Sequence, residues 1–154
     1  MDPTDLLALA RQIATSGRRP RQTDLKRAVS TAYYALFHAL CATCADCLVG
    51  RTQVLRQSEA WRAIYRSVDH RQAKDRCKNR AAFVVMPTAI VDFAYLFCEL
   101  QTDRHEADYD PASRYFRADV LALIANADAV LRDFSGAPLT DRRAFAVRVL
   151  TRDR

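Results

Sequence analysis

The sequence predicts an all-α protein, an antiparallel up-and-down bundle of four to five long helices plus a short C-terminal helix. Three observations carry that expectation. Leu25, Ala28, Val29, Ala32, Tyr33, Leu36, Phe37, Leu40, Cys41 and Cys44 follow the i, i+3, i+4, i+7 spacing of one helical face without a break. Apolar residues make up 50% of the chain, charged residues 27%, and only 3 of 154 residues are Gly, the balance of a compact helical protein and unlike a disordered or collagen-like one. Alternation with a period of two never lasts long enough to make a strand.

Each element has its own signal. Thr4 to Ala14 places Leu6, Leu7, Leu9, Ala10 and Ile13 at helical spacing, with Asp2 and Thr4 available as caps and Ser16, Gly17 and Pro20 as the stop. The long second helix ends at Gly50, near its natural C-cap position. A third helix is expected from about Val54 to Val68, burying Leu55, Trp61, Ile64, Tyr65 and Val68, with a short helical piece to Cys77 and a connector from Asn79 to Pro87. Pro87 suits a helix start, and Ile90, Phe93, Ala94, Phe97 and Leu100 continue a fourth stripe, fraying near Arg104 to Ala107. Asp110 followed by Pro111 has the form of a cap and first turn, opening a fifth helix through Phe116, Val120, Leu123, Ile124, Ala127, Val130, Leu131 and Phe134. Ser135, Gly136 and Pro138 stop it, and Thr140 is the expected cap of a last helix with Ala144, Val147 and Leu150 inward. The length is that of one domain spanning residues 1–154.

The formal charge of +6 permits an anionic partner without requiring one. Its distribution is more informative. From Arg51 to Arg80 nine Lys or Arg face only Glu59, Asp69 and Asp75, a candidate phosphate-facing stretch. Arg104 instead stands among Glu99, Asp103, Glu106, Asp108 and Asp110. With no basic-then-apolar leader and no run near the ~18 apolar residues of a membrane span, a cytoplasmic protein with no membrane contact is expected. The 5 cysteines are an odd number in a domain that needs no staples, which fits free thiols in a reducing compartment. Cys41, Cys44 and Cys47 have a spacing used by iron–sulfur proteins, but no Gly or Pro opens the helix there, and zinc would need a fourth ligand. Buried thiols extending the apolar stripe are the reading, and neither metal nor cofactor is expected.

Other residues are candidates for chemistry. His38 shares a helical stripe with Arg27, Thr31 and Tyr34, and that stripe either binds a phosphate or packs on another helix. His70, after Arg66 in the basic stretch, reads as a helix cap or an exposed loop residue. Arg104 pairs with Asp108 if its helix continues; if the chain turns at Ala107, then Arg104, His105, Asp108 and Tyr109 cluster at a helix end.

Two segments together resemble a known family. LKRAVSTAYYALFHAL, Leu25 to Leu40, is similar to the first long core helix of bacterial HEPN proteins, and LQTDRHEADYDP, Leu100 to Pro111, resembles their Arg-x-x-Ala-Asp-Tyr segment. VDHRQAKDRC, Val68 to Cys77, resembles a further stretch with less specificity, so the likeness covers roughly residues 22–134. It implies a HEPN-like homodimer with a composite cleft at its axis, in many members a metal-independent ribonuclease or toxin of toxin–antitoxin and defence systems, often beside a minimal nucleotidyltransferase antitoxin. Two-fold symmetry there brings two histidines and two arginines to one RNA phosphate, for proton transfer and charge stabilisation.

The resemblance makes Arg104 and His105 candidate catalytic residues, with His38 a further candidate. Arg27, Tyr34, His38, Arg66, His70, Asp108 and Tyr109 become candidates for binding RNA, a nucleotide or a partner. Catalytic members carry a histidine one to two helical turns after the arginine. Here Tyr109, Asp110 and Pro111 follow Arg104 at that distance, and His105 is adjacent to it. The alternative expectation is accordingly a non-catalytic interaction module that pairs with a nucleotidyltransferase or another defence component.

Overall fold

A computed structural model describes residues 1–152, and within them the chain is helical throughout, with eight α-helices, one 3-10 turn and no strand. Helix α1, Pro3–Ala14, starts where Asp2 accepts a hydrogen bond from the Thr4 amide at 2.8 Å. Gly17, at φ +73°, takes the left-handed conformation that turns the chain after it. Helix α2, Gln22–Leu48, is the axis of the molecule and packs on α1. Val49 caps it, and Gly50 turns away at φ +135°.

The third stripe is broken where one helix is expected. Ser58 divides it into α3, Gln53–Arg56, and α4, Glu59–Ser67. Its hydroxyl donates to the Leu55 carbonyl at 2.6 Å and accepts from the Trp61 amide at 3.1 Å, ending one helix and starting the next. Helix α5, His70–Lys78, is capped by Asp69, and a 3-10 turn, Arg80–Phe83, follows.

Helix α6, Thr88–Tyr109, does not fray at Arg104 to Ala107 as the sequence predicts. Ala107 is buried, and the Arg104–Asp108 pair spans the last turn. Asp110 and Pro111 start no helix. Asp110 is the C-cap of α6, and its carboxylate accepts from the Ala112 amide at 2.8 Å in a local turn. Helix α7, Arg117–Gly136, begins later, with Phe116 an exposed N-cap rather than a core residue. Its approach is held by Gln22, whose side chain bonds both the carbonyl and the amide of Tyr115.

Helix α8, Leu139–Leu150, is preceded by Pro138 at the N-cap position instead of Thr140. Its buried face is Phe145, Ala146 and Val149, one residue out of step with the expected Ala144, Val147 and Leu150. The shift is set by Phe145, which packs edge-on to both Phe93 and Phe134. Helix α2 carries a window with a mean hydropathy of 1.2, long and apolar enough to cross a membrane, and 67% of that window is buried by neighbouring helices. Within this structure it is the core helix that α4, α6, α7 and α8 surround.

Candidate functional site

Spacing along α2 builds the site. Ser30, Tyr33, Tyr34, Phe37 and His38 recur at three- and four-residue intervals, so they form one stripe, which meets α4, α5 and α6. Tyr33 is fully buried, and its hydroxyl lies 2.5 Å from Nδ1 of His70, the first residue of α5. The His70 ring lies flat on Phe37, centroid to centroid 3.6 Å, and its backbone carbonyl accepts from Gln101 of α6 at 3.0 Å. His70 is therefore neither a cap nor an exposed loop residue. Asp69 is the cap, and the imidazole is a half-buried part of the α2–α5 contact.

Arg104 enters from α6. Its guanidinium carbon lies 5.4 Å from the Tyr33 ring centroid and 5.9 Å from that of Tyr34, cation-on-ring contacts that hold a charge against an apolar surface. One terminal nitrogen pairs with Asp108 at 3.4 Å, and the same carboxylate oxygen stands 3.4 Å from the Ser30 hydroxyl. Arg104 Nε is buried and has no hydrogen-bond partner among the described residues. An orphaned donor of this kind is unusual and marks a place where an acceptor from outside gains more than it would at the surface. The Arg104 side chain keeps 16% exposure, although Nε itself is closed to solvent.

His38 closes the other end of the stripe. Its Nδ1 lies 2.5 Å from the hydroxyl of Tyr65 on α4. Tyr65 stacks on Trp61, whose indole nitrogen donates to Asp46 at 2.9 Å, and Arg56 forks onto the same carboxylate. Helix α4 is in this way pinned to α2 beside the imidazole.

Burial sets the protonation states. It pushes the Tyr33 phenol well above its ordinary value, only partly offset by nearby Arg104, and pushes Tyr65 up to about 12. Both phenols keep their protons. Burial first, then Arg104 and His38, lower the pKa of His70 against the opposing pull of Asp69, and burial likewise lowers that of His38. Neutral imidazoles facing protonated phenols have one arrangement that satisfies the tyrosines: each hydroxyl donates to Nδ1, leaving Nε2 to carry the ring proton. The site is thus a set of donors, Arg104 plus two neutral N–H groups, on an aromatic floor. Such a set suits an anion.

The structure brings Tyr34, His38, His70, Arg104 and Asp108 into this one cluster. Arg27 and Tyr109 do not join it but line an adjoining groove of about 570 Å³, of which Asp108 is the shared wall. His105 is exposed and packs on Tyr109, with ring centroids 4.9 Å apart. Because α6 continues, His105 points about 100° around the helix from Arg104 and stays outside the cluster within one chain. Arg66 is exposed in the last turn of α4 and takes no part in the cluster's hydrogen bonds or ring contacts.

Sequence reasoning did not place Tyr33, Tyr65, Ser30 or Gln101 in a site. The two tyrosines read as members of apolar stripes. The signal available was that a buried tyrosine hydroxyl needs a partner, and the chain has only 3 histidines to supply one by imidazole. Cys41, Cys44 and Cys47 are buried free thiols, with Cys41 pushed up to about 12 by burial. Among the described residues no group of three or more His, Cys, Asp or Glu is placed to hold a metal. No protein-family model, curated protein or solved structure matches the chain.

Proposed function

We propose that this protein is a HEPN-like helical dimer that binds RNA through the Arg104 cluster, Arg104 and the imidazoles of His38 and His70 donating to the phosphate backbone. The observation that carries this reading is the seat of Arg104 over the rings of Tyr33 and Tyr34, with His70 bonded to the first and His38 beside the second. Arginine beside aromatic rings fits single-stranded RNA in two ways: charge for the phosphate, and a π-surface for an unstacked base. Nine cations between Arg51 and Arg80 add a long-range field on the elements that flank the cluster. Two copies related by a two-fold axis would present two such clusters to one strand.

Binding rather than cutting is the stronger reading of the chemistry. Metal-independent transesterification needs one imidazole to take the 2′-hydroxyl proton, and with each tyrosine hydroxyl assigned as donor to Nδ1 neither ring offers a free lone pair. The test is fluorescence anisotropy of a labelled single-stranded RNA with EDTA present, read together with gel analysis of the same RNA. Wild type is expected to bind with an affinity that falls steeply with salt and to leave the RNA intact. Arg104→Ala is expected to weaken binding at least about 10-fold while keeping its helical circular dichroism. Equal binding by Arg104→Ala, or no binding by a folded dimer at low salt, overturns the proposal. Cutting that disappears in Arg104→Ala would make the cluster a nuclease site instead.

A further inference from the structure

Further along the α5–α6 contact, away from the Arg104 cluster, an open cavity of about 550 Å³ lies between α5, the 3-10 turn and the first half of α6. Cys77 of α5 and Cys98 of α6 stand side by side at its wall, close enough for the two thiols to interact. Cys77 is buried at 4% exposure, whereas Cys98 is only half-buried and its thiol donates to the Lys74 carbonyl at 3.6 Å, a bond that opens when the thiol ionises. Lys74, Lys78 and Arg80 stand around the cavity against the acids Asp92 and Glu99. Lys74 is positioned by a 2.8 Å bond to Thr102, and Arg80 by its seat over the Tyr95 ring at 5.0 Å.

We propose that Cys98 and Cys77 form a peroxide-reactive dithiol site, with Cys98 as the attacking thiol and Cys77 as the resolving thiol. The asymmetry between them is physical. The Cys77 S–H first, and the three cations, lower the Cys98 value against the opposing effect of its partial burial, while the contact with Cys98 and burial push Cys77 up. The exposed partner is thus the better thiolate, and the protected one stands behind it. The other three cysteines have no such surroundings: Cys41 and Cys44 are fully buried and raised, and Cys47 is raised by burial.

The reaction balances with one peroxide as oxidant. The Cys98 thiolate attacks one peroxide oxygen, the O–O bond breaks, and the leaving oxygen takes up a proton to depart as water or an alcohol. Cys98 is then a sulfenic acid. Cys77 sulfur attacks the Cys98 sulfur, forming the S–S bond, and the sulfenic hydroxyl leaves as water with the Cys77 proton. Two thiols are oxidised to a disulfide and the peroxide is reduced. The sulfurs must close from non-bonded contact to about 2.05 Å, a movement that Cys77, in the last turn of a nine-residue helix, is placed to make.

The test uses the full chain treated with limiting hydrogen peroxide, then alkylated in denaturant and mapped by mass spectrometry. A Cys77–Cys98 disulfide peptide is expected, with Cys41, Cys44 and Cys47 recovered as alkylated thiols. Cys77→Ser should instead yield a dimedone-trapped sulfenic acid on Cys98, which keeps the proposal testable if the disulfide strains the fold. In the untreated wild type, iodoacetamide at neutral pH should modify Cys98 at least about 10-fold faster than Cys41, an advantage that Lys74→Gln with Arg80→Gln reduces. Oxidation spread evenly over the cysteines overturns the proposal. So does a Cys98 that forms neither a disulfide in wild type nor a dimedone adduct in Cys77→Ser.

Discussion

Two buried aromatic clusters meet at Phe97 of α6, one where α6 packs on α7 and α8, the other where it packs on α2 and α5. On one side Phe97 stacks with Phe93, which lies flat on Phe134 at 4.0 Å with Phe145 edge-on to both. On the other side Phe97 touches Tyr33, from which Tyr34, His70 and Arg104 branch. The phenylalanine cluster contains no polar atom, so its burial is transfer free energy and packing with nothing to offset. The tyrosine cluster buries a hydroxyl, an imidazole nitrogen and part of a guanidinium, each of which loses water and must recover it from a partner. Arg104 Nε and the Oε1 of Gln101 are the atoms left without one there. A chain selected for stability alone would extend the phenylalanines along α6. Under the proposed function, the polar half is where the binding chemistry sits.

The contrast predicts unequal responses to deletion. Phe93→Ala removes the centre of the apolar cluster, and urea denaturation should show a loss of about 3–5 kcal/mol, the range for a fully buried phenylalanine. RNA affinity of the remaining folded protein should be unchanged. A loss under about 1 kcal/mol would mean that the core collapses to fill the space and that the two clusters are less distinct than their composition implies.

Tyr33→Phe should have the next largest effect, because it keeps the ring and takes away only the hydroxyl. It leaves His70 Nδ1 without its donor, so stability should fall by about 1–3 kcal/mol, although the new side chain is the more apolar one. A neutral or stabilising outcome would show that water reaches the imidazole, which would make this half of the molecule a wet groove. The same variant frees the His70 tautomer. If RNA cutting appears in Tyr33→Phe and not in wild type, the phenol is what withholds the base.

The parts of this molecule that were legible in its sequence are those that depend on periodicity. The faces of α2, α6 and α7 follow directly from apolar spacing, since a core forms wherever a 3.6-residue stripe is long enough. Ends were harder. Ser58, Asp110 and Pro138 each offer a local hydrogen bond or a fixed angle that competes with helix continuation, and neighbouring chain decides which use prevails. In the cluster, Tyr34, His38, Arg104 and Asp108 were recognisable because helical spacing relates them in pairs. His70 is a candidate too, but spacing does not give its place, which depends on how α5 docks onto Phe37, a contact between residues 33 apart along the chain. His105 lies outside the cluster for the converse reason, adjacency in sequence being separation around a helix.

The smallest expected effect separates the two clusters by pH. His38 and His70 have folded pKa values below the ordinary 6.5, lowered first by burial, then for His70 by Arg104 and His38 against Asp69, and for His38 by the N-terminal amino group. As pH falls through 6.5 the unfolded chain takes up these protons before the folded one does, so unfolding is favoured. The stability involved is intact above about pH 6.5 and is lost as pH falls towards the folded values. Asp103, raised by burial, runs the other way, so the informative quantity is a difference between proteins rather than one slope. Melting temperatures between pH 7.5 and 5.5 should fall in wild type and fall less in His70→Gln, whose amide can still meet the Tyr33 hydroxyl. Phe93→Ala should shift the whole curve down and leave its slope alone, because nothing in the phenylalanine cluster titrates. An unchanged slope in His70→Gln would place that imidazole in solvent, and the tyrosine cluster would then lose the buried neutral donor on which its reading as an anion site depends.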